Sequence, residues 1–180
     1  GARMGPPRPF PFYGGMSEGV PAAVVASLRT LPAVSHDPGA SEYRMALPPA
    51  YGPPVDSVAE PPREPAAVYG EYVAGPLAHC LECHSPITPA GPDVTKLGQG
   101  GYEFHGPWGV SVAPNITSGP DGIASYSDEE LADMITKGRR PDGTAMLPPM
   151  PYGHLARMTD EDVRAVIAYL RQLPALPDPQ

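Results

Sequence analysis

His79-Cys80-Leu81-Glu82-Cys83-His84 contains both cysteines of a 180-residue chain, spaced Cys-x-x-Cys and followed at once by a histidine. Three chemistries use two cysteines at this spacing. A structural zinc site needs four ligands, usually with a second Cys or His pair at similar spacing, and His79, His105 and His154 form no such pair. A redox dithiol opens a helix after a strand, and no βαβ pattern surrounds this stretch. The form Cys-x-x-Cys-His reads instead as covalent attachment of a c-type haem. Thioethers from Cys80 and Cys83 fix two edges of the porphyrin, and the next residue, His84, then lies where its imidazole can coordinate iron.

Working outward, a second axial ligand is sought among Met134, Met146, Met150 and Met158. Met134 belongs to an apolar stripe with Leu131 and Ile135 and reads as core. Met158 directly precedes Thr159, a predicted N-cap, and reads as a hydrophobic staple onto Val163. Met150 lies in Leu147-Pro-Pro-Met-Pro-Tyr152, where prolines on both sides hold a non-helical loop. A soft thioether on a rigid loop suits an iron that changes oxidation state without changing shape. Met150 is therefore preferred over Met146, around which the proline cage is looser.

The flanking elements read as helices. Ser127-Asp-Glu-Glu130 has the form of a capping box, and Gly138 stops that helix. Thr159 opens a last helix in which Val163, Val166, Ile167 and Leu170 recur at helical spacing, and Pro174 ends it. A short helix is expected from Pro65 to Ala74, leading into the haem-binding segment. Between Gly98 and Gly122 the Gly, Pro and Asn content excludes a long helix, so an ordered loop over one haem edge is expected.

These residues resemble a known family. Cys80-Leu-Glu-Cys-His84, Gly100-Gly-Tyr-Glu-Phe104, Gly106-Pro-Trp-Gly109, Ala113-Pro-Asn-Ile-Thr117, Asp121-Gly-Ile123, Ser127-Asp-Glu-Glu130, Arg140-Pro-Asp-Gly143, Met150-Pro-Tyr152 and Ala168-Tyr-Leu-Arg171 occur in the order of the cytochrome c domains of bacterial membrane-associated alcohol, aldehyde and gluconate dehydrogenases. The resemblance covers roughly residues 66–176. It implies a mainly α, class I cytochrome c fold around one covalent haem c, with His84 and Met150 as axial ligands. It also implies Trp108, Asn115 and Tyr126 in the haem pocket, although many relatives carry Trp where this chain has Tyr126. On the residues alone, Trp108 reads equally as core, Asn115 as a turn residue and Tyr126 as a surface ring. The implied protein is exported to the periplasm or the extracytoplasmic face of the inner membrane, where it feeds electrons to a respiratory chain.

Residues 1–34 repeat residues 143–176 without a gap, 14 of the 34 positions being identical. Met4-Gly-Pro-Pro-Arg-Pro9 parallels Met146-Leu-Pro-Pro-Met-Pro151, and Ala23-Val-Val-Ala-Ser-Leu-Arg-Thr-Leu-Pro-Ala33 parallels Ala165-Val-Ile-Ala-Tyr-Leu-Arg-Gln-Leu-Pro-Ala175. Arg8 stands where the copy has Met150. Residues 1–34 are thus expected to be the tail of a preceding cytochrome-like domain, with a capped helix beginning at Ser17 that docks on the haem domain or on a neighbouring subunit. Residues 35–65 are expected to form a Pro-rich extended strap, carrying Tyr43, Met45, Leu47, Tyr51 and Val55, and residues 66–180 the monohaem domain.

Composition bounds the rest. The chain has 28 prolines, only three Phe and one Trp, so ordered coil and a lean core are expected, helped by a bound apolar cofactor. No run of about 20 apolar residues occurs, so no transmembrane segment is expected. Residues 66–180 carry seven Lys and Arg against fourteen Asp and Glu. That acidity disfavours nucleic acid and suits a basic face on a redox partner, such as a dehydrogenase or another electron-transport subunit. The expected role is electron carriage rather than catalysis. The alternatives are a peroxidase-like haem enzyme with a displaceable sixth ligand and a gas-sensing haem module.

Overall fold

The computed structural model describes residues 10–40, 42, 57–88 and 91–179. The chain divides into two units, Gly1–Glu60 and Pro61–Gln180. Met4, Arg8, Tyr43, Met45, Leu47, Tyr51 and Val55, named above for the repeat and the strap, lie outside the described residues.

In the first unit a single-turn helix α1 (Phe10–Tyr13) is followed by α2 (Gly19–Leu28). The expected Ser17 cap is not how α2 starts. Its N-cap is Glu18, which already has helical φ and ψ and makes no side-chain capping bond.

The second unit is mainly helical with small strands, compatible with a cytochrome c-like fold. Helix α3 (Ala66–Tyr72) begins after Pro65, whose missing N–H costs nothing at a helix start. It widens into a π-type turn over Val73–Leu77, closed by Ala78 N–H donating to the Val73 carbonyl at 2.8 Å. Pro76 lies inside that turn and has no N–H to donate. The single-turn helix α4 (Cys80–Cys83) follows. Two short strands, β1 (Ile87–Thr88) and β2 (Gly91–Pro92), pair antiparallel. The expected loop from Gly98 to Gly122 contains a hairpin instead: β3 (Glu103–Gly106) and β4 (Gly109–Val112) pair antiparallel across the Pro107-Trp108 turn.

Helix α5 (Asp128–Lys137) carries the complete capping box, Ser127 accepting from Glu130 N–H and Glu130 accepting from Ser127 N–H, and it ends on Gly138 at φ 65°. After α6 (Tyr152–Leu155), helix α7 (Asp160–Leu170) starts on Thr159, whose hydroxyl accepts from Asp162 N–H. Helix α3 packs along α7. Their backbones meet at Gly70, where a β-carbon would lie 1.8 Å from the Ala165 carbonyl oxygen. Tyr69, Val73, Leu131, Met134, Val163, Val166, Ile167 and Leu170 form the core, so the helical stripes read from the sequence face one another. Met158 packs against this core, as a staple residue does.

Candidate functional site

The haem-motif residues lie where α3 and its π-type turn deliver the chain into α4. His79 enters α4 in left-handed conformation (φ 58°), its Nδ1 3.2 Å from the Glu82 carboxylate. Leu81 points into the core, while Cys80 and Cys83 are half-buried and not joined to each other. Burial pushes the Cys80 thiol up to about 12, with the neighbouring Cys83 adding to the rise, and burial likewise raises Cys83. A thiol raised in this way is a poor redox nucleophile, which needs thiolate. Among the described residues no group of three or more His, Cys, Asp and Glu gathers to hold a metal ion. A thioether carries no charge, so the same burial suits a covalently attached sulfur.

His84 follows α4, and its Nδ1 lies 2.8 Å from the Pro114 carbonyl oxygen. A carbonyl can only accept, so Nδ1 carries the proton and Nε2 keeps its lone pair. Burial lowers the His84 pKa, the Pro114 carbonyl working in the opposite sense, and the ring is neutral at pH 7. The backbone around it is tied as well. His84 C=O accepts from Gly100 N–H at 2.8 Å, and buried Ser85 Oγ accepts from Gly98 N–H at 3.1 Å. Gly100 has φ 80°, and a β-carbon there would lie 2.6 Å from Asn115 N, so only glycine fits between the two strands of this clasp.

Met150 is carried by a separate loop. Arg139 bridges to Ala145, and Met146 N–H donates to the Gly138 carbonyl at 2.8 Å, which closes the base of that loop. Met146 packs against the core, whereas Met150, half-buried, lies outside that cluster one residue before the cap of α6.

The three residues implied for the pocket have different surroundings. Trp108 is 40% exposed at the hairpin turn, and its indole ring covers Gly106, where a β-carbon would come within 2.5 Å of it. Asn115 is buried and its amide ties two segments: Oδ1 accepts from Thr117 N–H and Oγ1–H, and Nδ2 donates to the Leu176 carbonyl. Tyr126 packs its ring against the core and accepts with its carbonyl from Arg171 Nη2 at 2.6 Å.

The structure also brings in groups that sequence reasoning passed over. One is Pro114, whose carbonyl meets His84 Nδ1. The tail after α7 is bound to the Gly98–Asp121 segment by Gln99 Nε2 donating to Pro177 C=O, Ser118 Oγ to Leu173 C=O, and Leu176 N–H to Thr117 Oγ1. The loop that supplies Pro114 to His84 is thereby fastened from behind.

No protein-family model matches the chain. It is 38% identical over 104 residues to an alcohol dehydrogenase (quinone) cytochrome c subunit of Gluconobacter oxydans, a match covering 56% of this chain and 20% of that protein. It is 37% identical over 107 residues to the fructose dehydrogenase cytochrome subunit of Gluconobacter japonicus, covering 59% and 21% respectively. A gluconate 2-dehydrogenase cytochrome c subunit of Pantoea cypripedii is 35% identical over 106 residues, covering 56% and 21%. The chain spans about a fifth of the length of these relatives. No helix among the described residues is long and apolar enough to cross a membrane. Over more than half of its length, then, the chain resembles the cytochrome c subunits of alcohol, fructose and gluconate dehydrogenases.

Proposed function

We propose that this chain is an electron-transfer cytochrome holding one haem c, bound through thioethers from Cys80 and Cys83 and ligated by His84 and Met150. The observation that carries the reading is the hydrogen bond from His84 Nδ1–H to the Pro114 carbonyl, directly after the Cys-x-x-Cys pair. It fixes the tautomer and leaves Nε2 as the only ring nitrogen able to donate to iron. The residues present fit the group: two half-buried cysteine sulfurs, one neutral imidazole and one thioether on a proline-held loop. When bound, haem c supplies a one-electron ferrous–ferric couple.

The chain's own residues do the rest. Pro114 holds the proton at His84 Nδ1, Gly100 fixes the backbone carbonyl of the same residue, and burial keeps the ring uncharged. Proline on both sides restrains Met150, so the ligand loop changes little between redox states. By likeness to its relatives the chain works as a carrier within a dehydrogenase or another electron-transport assembly, on the extracytoplasmic face of a membrane. With haem bound, His84 and Met150 would together hold both sides of the iron, which would distinguish this role from a haem enzyme or gas sensor.

Acid-acetone treatment of the chain from a host that attaches c-type haem tests the covalent link. Haem is expected to stay with the polypeptide, and release into the solvent would overturn the reading. In the oxidised spectrum a sulfur-to-iron charge-transfer band is expected, whereas a high-spin spectrum would favour the enzyme or sensor alternatives.

A further inference from the structure

His84 is held by two backbone groups from separate segments. Gly100 N–H donates to its carbonyl at 2.8 Å, and the Pro114 carbonyl lies 2.8 Å from its Nδ1. Each of these groups has an immediate neighbour whose side-chain amide is buried and directed at the tail after α7. Gln99, before Gly100, donates through Nε2 to the Pro177 carbonyl at 2.9 Å. Asn115, after Pro114, donates through Nδ2 to the Leu176 carbonyl at 2.8 Å. Two consecutive tail carbonyls thus receive the two segments that hold His84.

The two segments also hold each other, Gly101 N–H donating to Ala113 C=O and Ile116 N–H to Gly98 C=O, both at 2.8 Å. A displacement of one therefore carries to the other. The tail, by contrast, has no helix or strand over residues 174–179, and all of these but Leu176 are exposed. Pro174, Pro177 and Pro179 limit its backbone freedom, so little entropy is lost in laying it across the site. Burying the Gln99 amide is costly without a partner, and the tail supplies the acceptor.

We propose that Gln99, through Pro177, is a positioning residue for His84, and that the tail at Leu176 and Pro177 is a bridge keeping the Pro114 carbonyl within hydrogen-bonding distance of Nδ1. The bridge acts through the imidazole ring. A carbonyl close to Nδ1–H raises the electron density at Nε2, and a more basic ligand favours ferric iron. Loosening the bridge lets the carbonyl recede, so the ferrous form gains. The role of His84 toward iron rests on the function proposed for residues 61–180.

The test is Gln99→Met in the haem-loaded chain. The change keeps the length of the side chain, removes the donor and leaves the carbonyl of exposed Pro177 open to water, so a small stability cost is expected. In redox titration the ferrous-to-ferric ratio at a fixed potential is expected to rise about threefold to tenfold, tenfold being about 59 mV for one electron. Exchange of the His84 Nδ1 proton with solvent, followed by NMR in the ferrous state, should quicken. Gln99→Asn, one methylene shorter and still polar, should move both readings in the same direction. Ser118→Ala unfastens the tail at Leu173 and touches neither Gln99 nor Asn115, so it should lower stability and leave potential and exchange unchanged. A potential that falls or stays put in both Gln99 variants, one that rises without faster exchange, or an equal rise in Ser118→Ala would overturn the proposal. Acid-acetone treatment of the unaltered chain separates the two readings. Haem lost there defeats the proposed function and the bridge with it, whereas haem retained with an unmoved potential in the variants defeats the bridge alone.

Discussion

Met146 and Met150 share a loop but not the same packing. Met146 is fixed by its amide to Gly138 and by its side chain to the core, so Met146→Leu is a near-volume-conserving change expected to cost under about 1.5 kcal/mol and to leave the reduction potential unchanged. Met150 lies outside the core, and under the proposed ligation a harder nitrogen ligand there would favour ferric iron. Met150→His is expected to lower the potential, within the roughly 0.8 V that axial ligands span. Redox titration of both variants decides the matter: a potential that moves with Met146 and not with Met150 would reassign the ligand. Asn115 is a case where one residue fastens two segments. Asn115→Ala strands the buried Thr117 N–H and hydroxyl and frees the Leu176 carbonyl, so a loss of about 3 kcal/mol in denaturant unfolding is expected. A loss below about 1 kcal/mol would mean that water replaces these bonds without cost.

At the scale of elements, the α3–α7 crossing depends on one missing side chain. In Gly70→Ala the new methyl would meet the Ala165 carbonyl, a backbone group that cannot rotate away, so the helices must separate. The expected cost is about 3 kcal/mol or more, read as a fall in the unfolding midpoint, and a neutral result would show the crossing to be slack. Two turns repeat one device: Asp93 accepts from Thr95 N–H and Oγ1–H, and Asp142 accepts likewise from Thr144. These bonds hold both carboxyls below the usual range. Their contribution is therefore present above the unfolded carboxyl pKa of about 4 and is lost as pH falls through the lowered folded values. Asp93→Asn with Asp142→Asn should flatten the acid side of the stability profile, and an unaltered profile would show the turns to be inert. The capped helices and their apolar stripes were legible because caps and periodicity are local in sequence. The β3–β4 hairpin was not, because Gly106, Pro107 and Gly109 give a loop composition and its strands are held by cross-strand pairing rather than by an apolar run. Nor was the tail's attachment, whose bonds join Gln99 to Pro177 and Ser118 to Leu173, pairs far apart in sequence. The Cys80-x-x-Cys83-His84 spacing is visible in the sequence, but the Pro114 carbonyl that meets His84 Nδ1 is a backbone group and leaves no side-chain signature.

For the molecule as a whole, the surplus of carboxylates over residues 66–180 serves two purposes that experiment can separate. Asp128, Glu129 and Glu130 lie in the first turn of α5, and Asp160, Glu161 and Asp162 in that of α7, where negative charge complements the helix dipole. That accounts for six of the fourteen acidic residues. The remaining acidity sets a field that, under the proposed function, a redox partner would meet on approach, and its reach is about 8 Å at physiological ionic strength. Oxidation by a small cationic complex, tris(phenanthroline)cobalt(III), is expected to slow as salt rises, and oxidation by anionic hexacyanoferrate(III) to quicken. Glu161→Gln should weaken the α7 dipole pairing, at a cost of roughly 0.3–1 kcal/mol, and also reduce the salt sensitivity if α7 borders the route of electron exit. Stability loss without a change in salt slope would assign that carboxylate to the helix start and its pairing with Arg63 rather than to the partner's approach. Rates indifferent to salt with both oxidants would mean that electrons leave through an uncharged part of the surface, and the case for a basic partner face would fall with them.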